Sequence, residues 1–509
     1  MGGPIKGEAA WRYHKATKHS FWSVRLTSHT LDWENQPIPF KLYRGLDPIP
    51  LPQQIPTSGV HALKAIATGP SGDGTLDLFT LAGLLHFSAG ITKRLRYPGG
   101  TVYFRAAACT GALYHIDLYL VCGPLPDLEA GVYHYGPHDH SLRCLRRGDF
   151  RPVVAKATGW HPWTSQAPAI VVFASTFWRN AWKYRARTYR HCFWDSGTIL
   201  ANMMAMANSY AIPCRLLMGF VDDEINHLLG LDGRREAALA LAVLGEGSPC
   251  PQELPTVPTL NVETAPLSKR ELLYPEIVGV HEASSLHSAE EVALWRRGFP
   301  ASSLPPVRGT LFPLHPLPLE QGPTIEEVIL RRGSARRFLH RPITLDQLST
   351  IIDRAAAGIT WDVTPRQGLC LNALFLLVHA VEGLPAGAYL FRPETRELEL
   401  LREGGFRKEG EFLALEQALG ADASVDFFFL SPLQTVLHHL GDRGYRAAQM
   451  EAGIAGGRVY LSAYALGIGA TGLTFYDDEV IRFFSPQAAQ LEPMFLVATG
   501  VPAPRPRTL

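Results

Sequence analysis

The spacing of apolar positions along the chain predicts both helices and buried strands. In residues 344–357 (TLDQLSTIIDRAAA), Leu345, Leu348, Ile351, Ile352 and Ala355 share one helical face. Thr344 and Gln347 form a capping box at its start, and Gly358 can close it in a left-handed conformation. Two short apolar runs, 115–123 (HIDLYLVCG) and 372–381 (NALFLLVHAV), read as buried strands. Apolar residues through 195–211 and 451–467 predict two buried central helices. Helices packed on a sheet place the chain in the α+β class.

The same pattern occurs twice. Tyr189 in KYRARTYR and Tyr445 in HLGDRGYR lie 445 − 189 = 256 positions apart. That offset also joins Gly131 of AGVYHYGP to Gly387 of AGAYLFRP, and Phe150 to Phe406. GFVDDEINHLL (219–229) matches LTFYDDEVIRFF (473–484) one position out of step, and AGIT stands at both 89–92 and 357–360. A period this long exceeds any solenoid unit of roughly 20–50 residues, so it marks two copies of a whole domain. The halves are assigned as 1–249 and 323–509, forming an internal pseudo-dimer. Residues 250–322 are rich in proline, which fixes φ and removes a donor, and read as an extended crossover linker.

Composition narrows the function without identifying it. The chain has 509 residues, 46% hydrophobic and 19% charged, enough to build sizeable cores rather than a disordered polymer. A net charge of +1 offers no general attraction to nucleic acid or to a membrane surface. Seven scattered cysteines without a C-x-x-C read as reduced thiols, with neither a disulfide framework nor a metal site. No apolar run approaches 18 residues and the N-terminus lacks one of signal-peptide type, so a cytoplasmic protein is expected. A fused pair already supplies the pairing of a dimer, which suggests a monomer or a weak homo-oligomer.

Candidate chemistry begins at RRGSARRF (331–338), where Arg332, Ser334 and Arg336 alternate. Two guanidiniums and a hydroxyl so spaced can face one phosphate, and arginine grips phosphate as a fork. A solvated basic stretch is the alternative. This pattern resembles the FMN phosphate clamp of the nitroreductase superfamily. In that family basic residues after a terminal G-x-P complete the clamp, which points to Arg505 and Arg507 in GVPAPRPRTL.

Within the superfamily the chain resembles the SagB/ThcOx-type branch, which oxidises azoline rings in peptides. YHKATKHS (13–20), RAAACTGALYHIDLYLV (105–121), KYRARTYRH (183–191) and DRGYRAAQMEAG (442–453) carry the likeness. The family's R-x-x-P-S-x-G-x-L-Y-P loop departs here at Ala108, Cys109 and His115 but keeps Gly111, Leu113 and Tyr114. The resemblance implies flavin contacts from Ala108, Cys109, Thr110 and Gly111. It implies others from a glycine-rich turn containing Gly469, Ala470 and Thr471; a helix C-cap is the alternative there. The C-terminal half keeps the clamp and has lost the loop, whereas the N-terminal half keeps the loop and lacks the clamp. One composite FMN site per chain follows.

Lys183 and Tyr184 match the Lys-Tyr pair that this branch uses to remove a proton. A tyrosine is a poor base near neutrality, and an adjacent cation would lower its pKa. The pair aligns with His439 and Leu440, so one copy alone carries it. A surface lysine beside a packed tyrosine is the alternative. Arg187, Tyr189, Arg443 and Tyr445 recur in both halves, which favours a structural role at helix starts. His14, Lys18 and His19 mark either a substrate-peptide end or a vestigial second phosphate site. Three functions therefore stand: a SagB-type dehydrogenase acting on a small molecule or peptide heterocycle, an NAD(P)H-dependent nitro- or quinone reductase, and a non-catalytic flavin-binding protein.

Overall fold

The computed structural model describes residues 7–26, 29–67, 69, 72–97, 100–299, 304–365 and 368–504. Each half is built on one antiparallel sheet, and the two sheets have the same strand order. The first runs Pro48–Pro50, Ser141–Arg147, Gly131–Gly136, Ile116–Cys122, Ala169–Thr176, Glu236–Leu244, Cys214–Leu217. The second runs Leu311–Pro313, Glu397–Glu403, Gly387–Arg392, Ala373–Val378, Val425–Ser431, Glu492–Pro502. Gly469–Leu473 and Phe338–Leu339 both pair with its last long strand. The fold is α+β, with two like domains as a pseudo-dimer. Ile116–Cys122 and Ala373–Val378 are buried along their whole length, because helices cover both faces of each central strand.

Two long helices, Thr188–Ser209 and Arg443–Ala465, pack against each other along the pseudo-twofold axis. They cross where neither has a side chain. A Cβ built on Gly197 would stand 2.5 Å from the carbonyl carbon of Gly453, and one on Gly453 would stand 2.7 Å from the Phe193 carbonyl oxygen. Their starts are tied crosswise by buried ion pairs. Arg187 and Arg190 reach Asp477 at 3.2 and 2.7 Å, while Arg443 and Arg446 reach Asp222 at 2.5 and 2.7 Å. Each half thus grips the first helical turn of the other. The same arginines donate to carbonyls, as Arg443 does to Met218 at 2.6 Å, in keeping with the structural reading of R-x-Y-R.

Several local expectations need correction. The capped helix spans Leu345–Ala355 with the Thr344–Gln347 box in place, but it ends through Ala356 in a right-handed conformation. Gly358 instead presents its carbonyl to Arg458 at 3.1 Å. The segment 250–322 is not merely extended, for it carries helices Pro275–Ala283 and Ala289–Trp295. Proline opens the first of these at a position where no N–H is needed. His14 and Lys18 meet carboxylates of the other half. Glu492 sits 3.0 Å from His14 and 2.6 Å from Lys18, and Lys18 also meets Asp478 at 2.8 Å, so they pin the chain start to the other half. Among the described residues no helix is long and apolar enough to cross a membrane.

Candidate functional site

The loop that follows the hairpin Ile91–Arg105 is shaped by strain and by one carboxylate. Gly111, Ala112 and Tyr114 all have positive φ, at 63°, 54° and 47°. Only glycine enters that region without cost, so the other two must be held there. Asp195, on the first central helix, does the holding. It accepts from the Thr110 amide and hydroxyl at 2.9 and 2.8 Å and from the Cys109 thiol at 3.1 Å, and it lies 3.0 Å from His115 Nε2. Burial, then the charge of Asp195, push the Cys109 thiol well up, which keeps it protonated and donating. Thr198 adds a hydrogen bond to the Ala108 carbonyl at 2.7 Å. A cavity opens here, lined by Arg105, Ala107, Ala108, Cys109, Tyr114 and Asp195 among others.

The clamp residues arrive from the other half. Helix Ile325–Arg331 ends at Arg332, whose guanidinium donates to the carbonyls of Ala106 at 2.6 Å and Arg105 at 2.9 Å. Ser334 Oγ lies 3.2 Å from the Tyr460 hydroxyl, which also accepts from the Gly472 amide at 2.5 Å. The Ala335 amide donates to the Ala470 carbonyl at 2.9 Å. Residues 332–335, the loop at 105–111 and the segment 469–472 therefore form one neighbourhood. Gly469, Ala470 and Thr471 belong to a strand, Gly469–Leu473, rather than to a turn; Gly467, with φ 73°, is the residue that turns the chain after the helix. Arg336 is exposed on the same segment, and Arg505 and Arg507 lie outside the described residues.

Two arginines here have no carboxylate to pair with among the described residues. Arg105 is buried, donates to the Pro39 carbonyl at 2.7 Å, and stacks over Tyr114 at 4.9 Å with its Nε unpartnered. Burial lowers the pKa of both Arg105 and Arg332; Arg179 adds to the lowering at Arg105, and the charge of Asp117 only partly offsets it there. Buried cations are normally paired, so this pair leaves room for an anion. Arg105 and Tyr460 were not singled out beforehand. Comparison of the two copies could have found Tyr460, because its counterpart 256 positions earlier is the apolar Met204.

Lys183 and Tyr184 end helix Phe177–Tyr184. The Tyr184 hydroxyl sits against Gly111, where any Cβ would come within 2.7 Å of it, and it donates to none of the described residues. Lys183 is exposed, with Nζ 5.2 Å from the Tyr184 ring centre. It does not lower the tyrosine's pKa as expected. Burial raises the phenol, Asp195 and Cys109 raise it further, and a solvated ammonium is too well screened to compensate. The next residue, Arg185, adopts φ 53°, ψ −138°, a region suited to glycine, and its counterpart in the other half is Gly441. Strain sits beside the Lys-Tyr pair in the copy that carries it.

Comparison with known proteins agrees with this architecture. The sequence model of the Nitroreductase family matches residues 329–500. MJ1384 of Methanocaldococcus jannaschii, named as a nitroreductase, is 30% identical over 162 residues, covering 31% of this chain and 81% of its own. The trifolitoxin-processing protein TfxB of Rhizobium leguminosarum bv. trifolii is 28% identical over 176 residues, 33% of this chain and 47% of its own, in line with the SagB-type resemblance. A solved structure described as a nitroreductase from Anabaena variabilis matches with a TM-score of 0.77 at 27% identity. It covers 97% of this chain and 99% of that one, so the paired architecture is shared from end to end. The chain belongs to the nitroreductase family of oxidoreductases.

Proposed function

We propose that the protein is an FMN-dependent oxidoreductase with one composite flavin site between its halves, oxidising a C–N bond in a small molecule or a peptide heterocycle. The observation that carries this reading is the contact of Arg332, late in the chain, with the carbonyls of Arg105 and Ala106, early in the chain. It joins the surviving clamp of one copy to the surviving loop of the other. Arg332, Ser334 and Arg336 would hold the phosphate, and unpaired positive charge at Arg332 and Arg105 suits an anion. Ala108 to Gly111 and Gly469 to Thr471 would bound the ring, with Arg505 and Arg507 as further phosphate candidates. Bound there, the flavin supplies hydride chemistry.

The chain's own contribution is placement and proton handling. Asp195 fixes the loop, and Tyr184 presents a free hydroxyl over Gly111. Lys183 stands in water beside it and suits a supporting role in proton exchange with solvent. The relative named for trifolitoxin processing supports a role in processing for this chain. With the pairing internal, the protein works as a monomer in this reading.

A second reading, an NAD(P)H-dependent reductase, gains from one observation. Burial and Asp195 keep the Tyr184 phenol protonated, and a protonated phenol donates more readily than it accepts. Flavin content and turnover decide between these. Purified protein is expected to carry close to one FMN per chain, and Arg332→Ala with Arg336→Ala to release it. Oxidation of an azoline-containing peptide that collapses in Tyr184→Phe supports the dehydrogenase. Brisk NADPH-driven nitroarene reduction indifferent to that change supports the reductase, and flavin-free protein rejects both.

A further inference from the structure

The duplication supplies an internal control for the buried polar residues around Tyr184. Both copies keep the arginine–aspartate clusters, so maintaining the fold accounts for those. Asn180, Thr188 and His191, by contrast, align with Val436, Gly444 and Ala447. All three are buried, and they are bonded to one another. The Thr188 hydroxyl donates to Asn180 Oδ1 at 3.0 Å, and His191 Nδ1 lies 2.8 Å from the same oxygen. A carboxamide oxygen has no proton to give, so Nδ1 carries the proton and Nε2 is left with its lone pair. The His191 ring stands edge-on to Tyr184, centroids 4.7 Å apart and planes at 88°, with Trp194 behind it at 4.9 Å. Valine, glycine and alanine fill the equivalent space in the other half, so packing alone does not call for a polar trio.

We infer that His191, oriented by Asn180, is a positioning residue that holds the Tyr184 phenol over Gly111. The inference rests on the reading of Tyr184 as the proton-handling group of the composite site. An edge-to-face pair fixes the plane of the tyrosine ring and with it the direction of the hydroxyl. Asn180 sets the imidazole's tautomer and rotation, and Thr188 restrains Asn180. Burial together with Arg187, His115, His19 and Arg190 keeps the imidazole neutral, so no positive charge develops against the phenol. Burial, Asp195 and Cys109 together raise the pKa of the Tyr184 phenol.

The test follows ionisation of Tyr184 in the full chain by carbon NMR of Cζ-labelled tyrosine, the resonance being assigned by its loss in Tyr184→Phe. His191→Ala is expected to shift the midpoint down toward that of free tyrosine, because water enters beside the ring. His191→Phe keeps an aromatic edge and is expected to retain the wild-type midpoint, and Asn180→Ala to shift it part of the way. An unmoved midpoint in His191→Ala, or an equal shift in His191→Phe, overturns the inference. If His191→Ala fails to fold, a wild-type midpoint in Asn180→Ala overturns it instead. FMN content is measured on the same samples. Flavin-free wild type sinks the functional reading and leaves the tyrosine comparison standing, whereas bound flavin with an unmoved midpoint sinks this inference alone.

Discussion

Gly197 and Gly453, one in each copy and 453 − 197 = 256 positions apart, meet backbone to backbone where the two central helices cross. The pseudo-twofold axis passes through a contact that no side chain could share. Larger residues there must drive the helices, and so the two halves, apart. Gly453→Leu is expected to lose about 1–3 kcal/mol of stability from overpacking. Gly279→Ala, at an exposed position of the half-buried helix Pro275–Ala283 with open space around it, should gain roughly 0.5–1 kcal/mol from helix propensity. Urea unfolding of the two variants beside wild type checks both signs.

The crosswise ion pairs predict an acid limit. Burial would raise the Asp222 carboxyl, but Arg443 and Arg446 outweigh it and hold the pKa at about 2; Asp477 is lowered likewise beside Arg187 and Arg190. The folded pKa lies below the unfolded value near 4, so this stability is complete above that value and is lost as pH falls toward 2. Asp222→Asn should flatten that acid limb. It should also cost about 3–5 kcal/mol at neutral pH, because two buried arginines lose their partner. Denaturation midpoints from pH 2 to 7 read both effects.

Glu451 predicts the opposite slope. It is the counterpart of Asp195 and accepts from the amides of Cys370 and Leu371 and the side chain of Asn372 at 2.8–2.9 Å. Burial still dominates and pushes its carboxyl up to about 7. Between the ordinary carboxyl value of 4.5 and about 7 the folded state keeps a proton that the unfolded chain has released. Stability therefore falls as pH rises through that window and is level above it, a loss of about 3 kcal/mol at ~1.4 kcal/mol per unit. Glu451→Gln should abolish this fall, and a slope unchanged in the variant would refute the assignment.

Tyr460 links the clamp segment to the strand behind it through one hydroxyl. Tyr460→Phe leaves the Gly472 amide and Ser334 without that partner, at a cost of about 1–3 kcal/mol. FMN retention should weaken by roughly two- to tenfold if half of that loss falls on the phosphate segment. Equilibrium dialysis of the variant against wild type measures it, and unchanged retention would separate Tyr460 from the site.

The segments that meet at the candidate site were legible from motif chemistry. RRGSARRF and the Gly-Ala-Leu-Tyr loop each occur in one copy only, and a composite arrangement followed from that asymmetry. Arg105 escaped notice as a site residue because an arginine in sequence carries no sign of burial. Its lack of a carboxylate partner becomes visible only after folding. The direction of the Tyr184 pKa shift was misread for a related reason. Adjacency to Lys183 suggested a lowered pKa, but side chains one position apart on a helix do not share an environment. One is in water and the other is against Asp195, Cys109 and a buried histidine.

The sequence by itself determined the duplication, the α+β class, the central strands and helices, and the segments from which a site could be assembled. These follow from periodicity and repetition, which are local or self-comparing properties of a linear chain. Only the tertiary structure decided which segments meet. Arg332 reaches Ala106 across 226 positions, and each arginine pair reaches the aspartate of the opposite copy. Those contacts, and the burial that sets every shifted pKa here, depend on distances in space that sequence spacing does not encode.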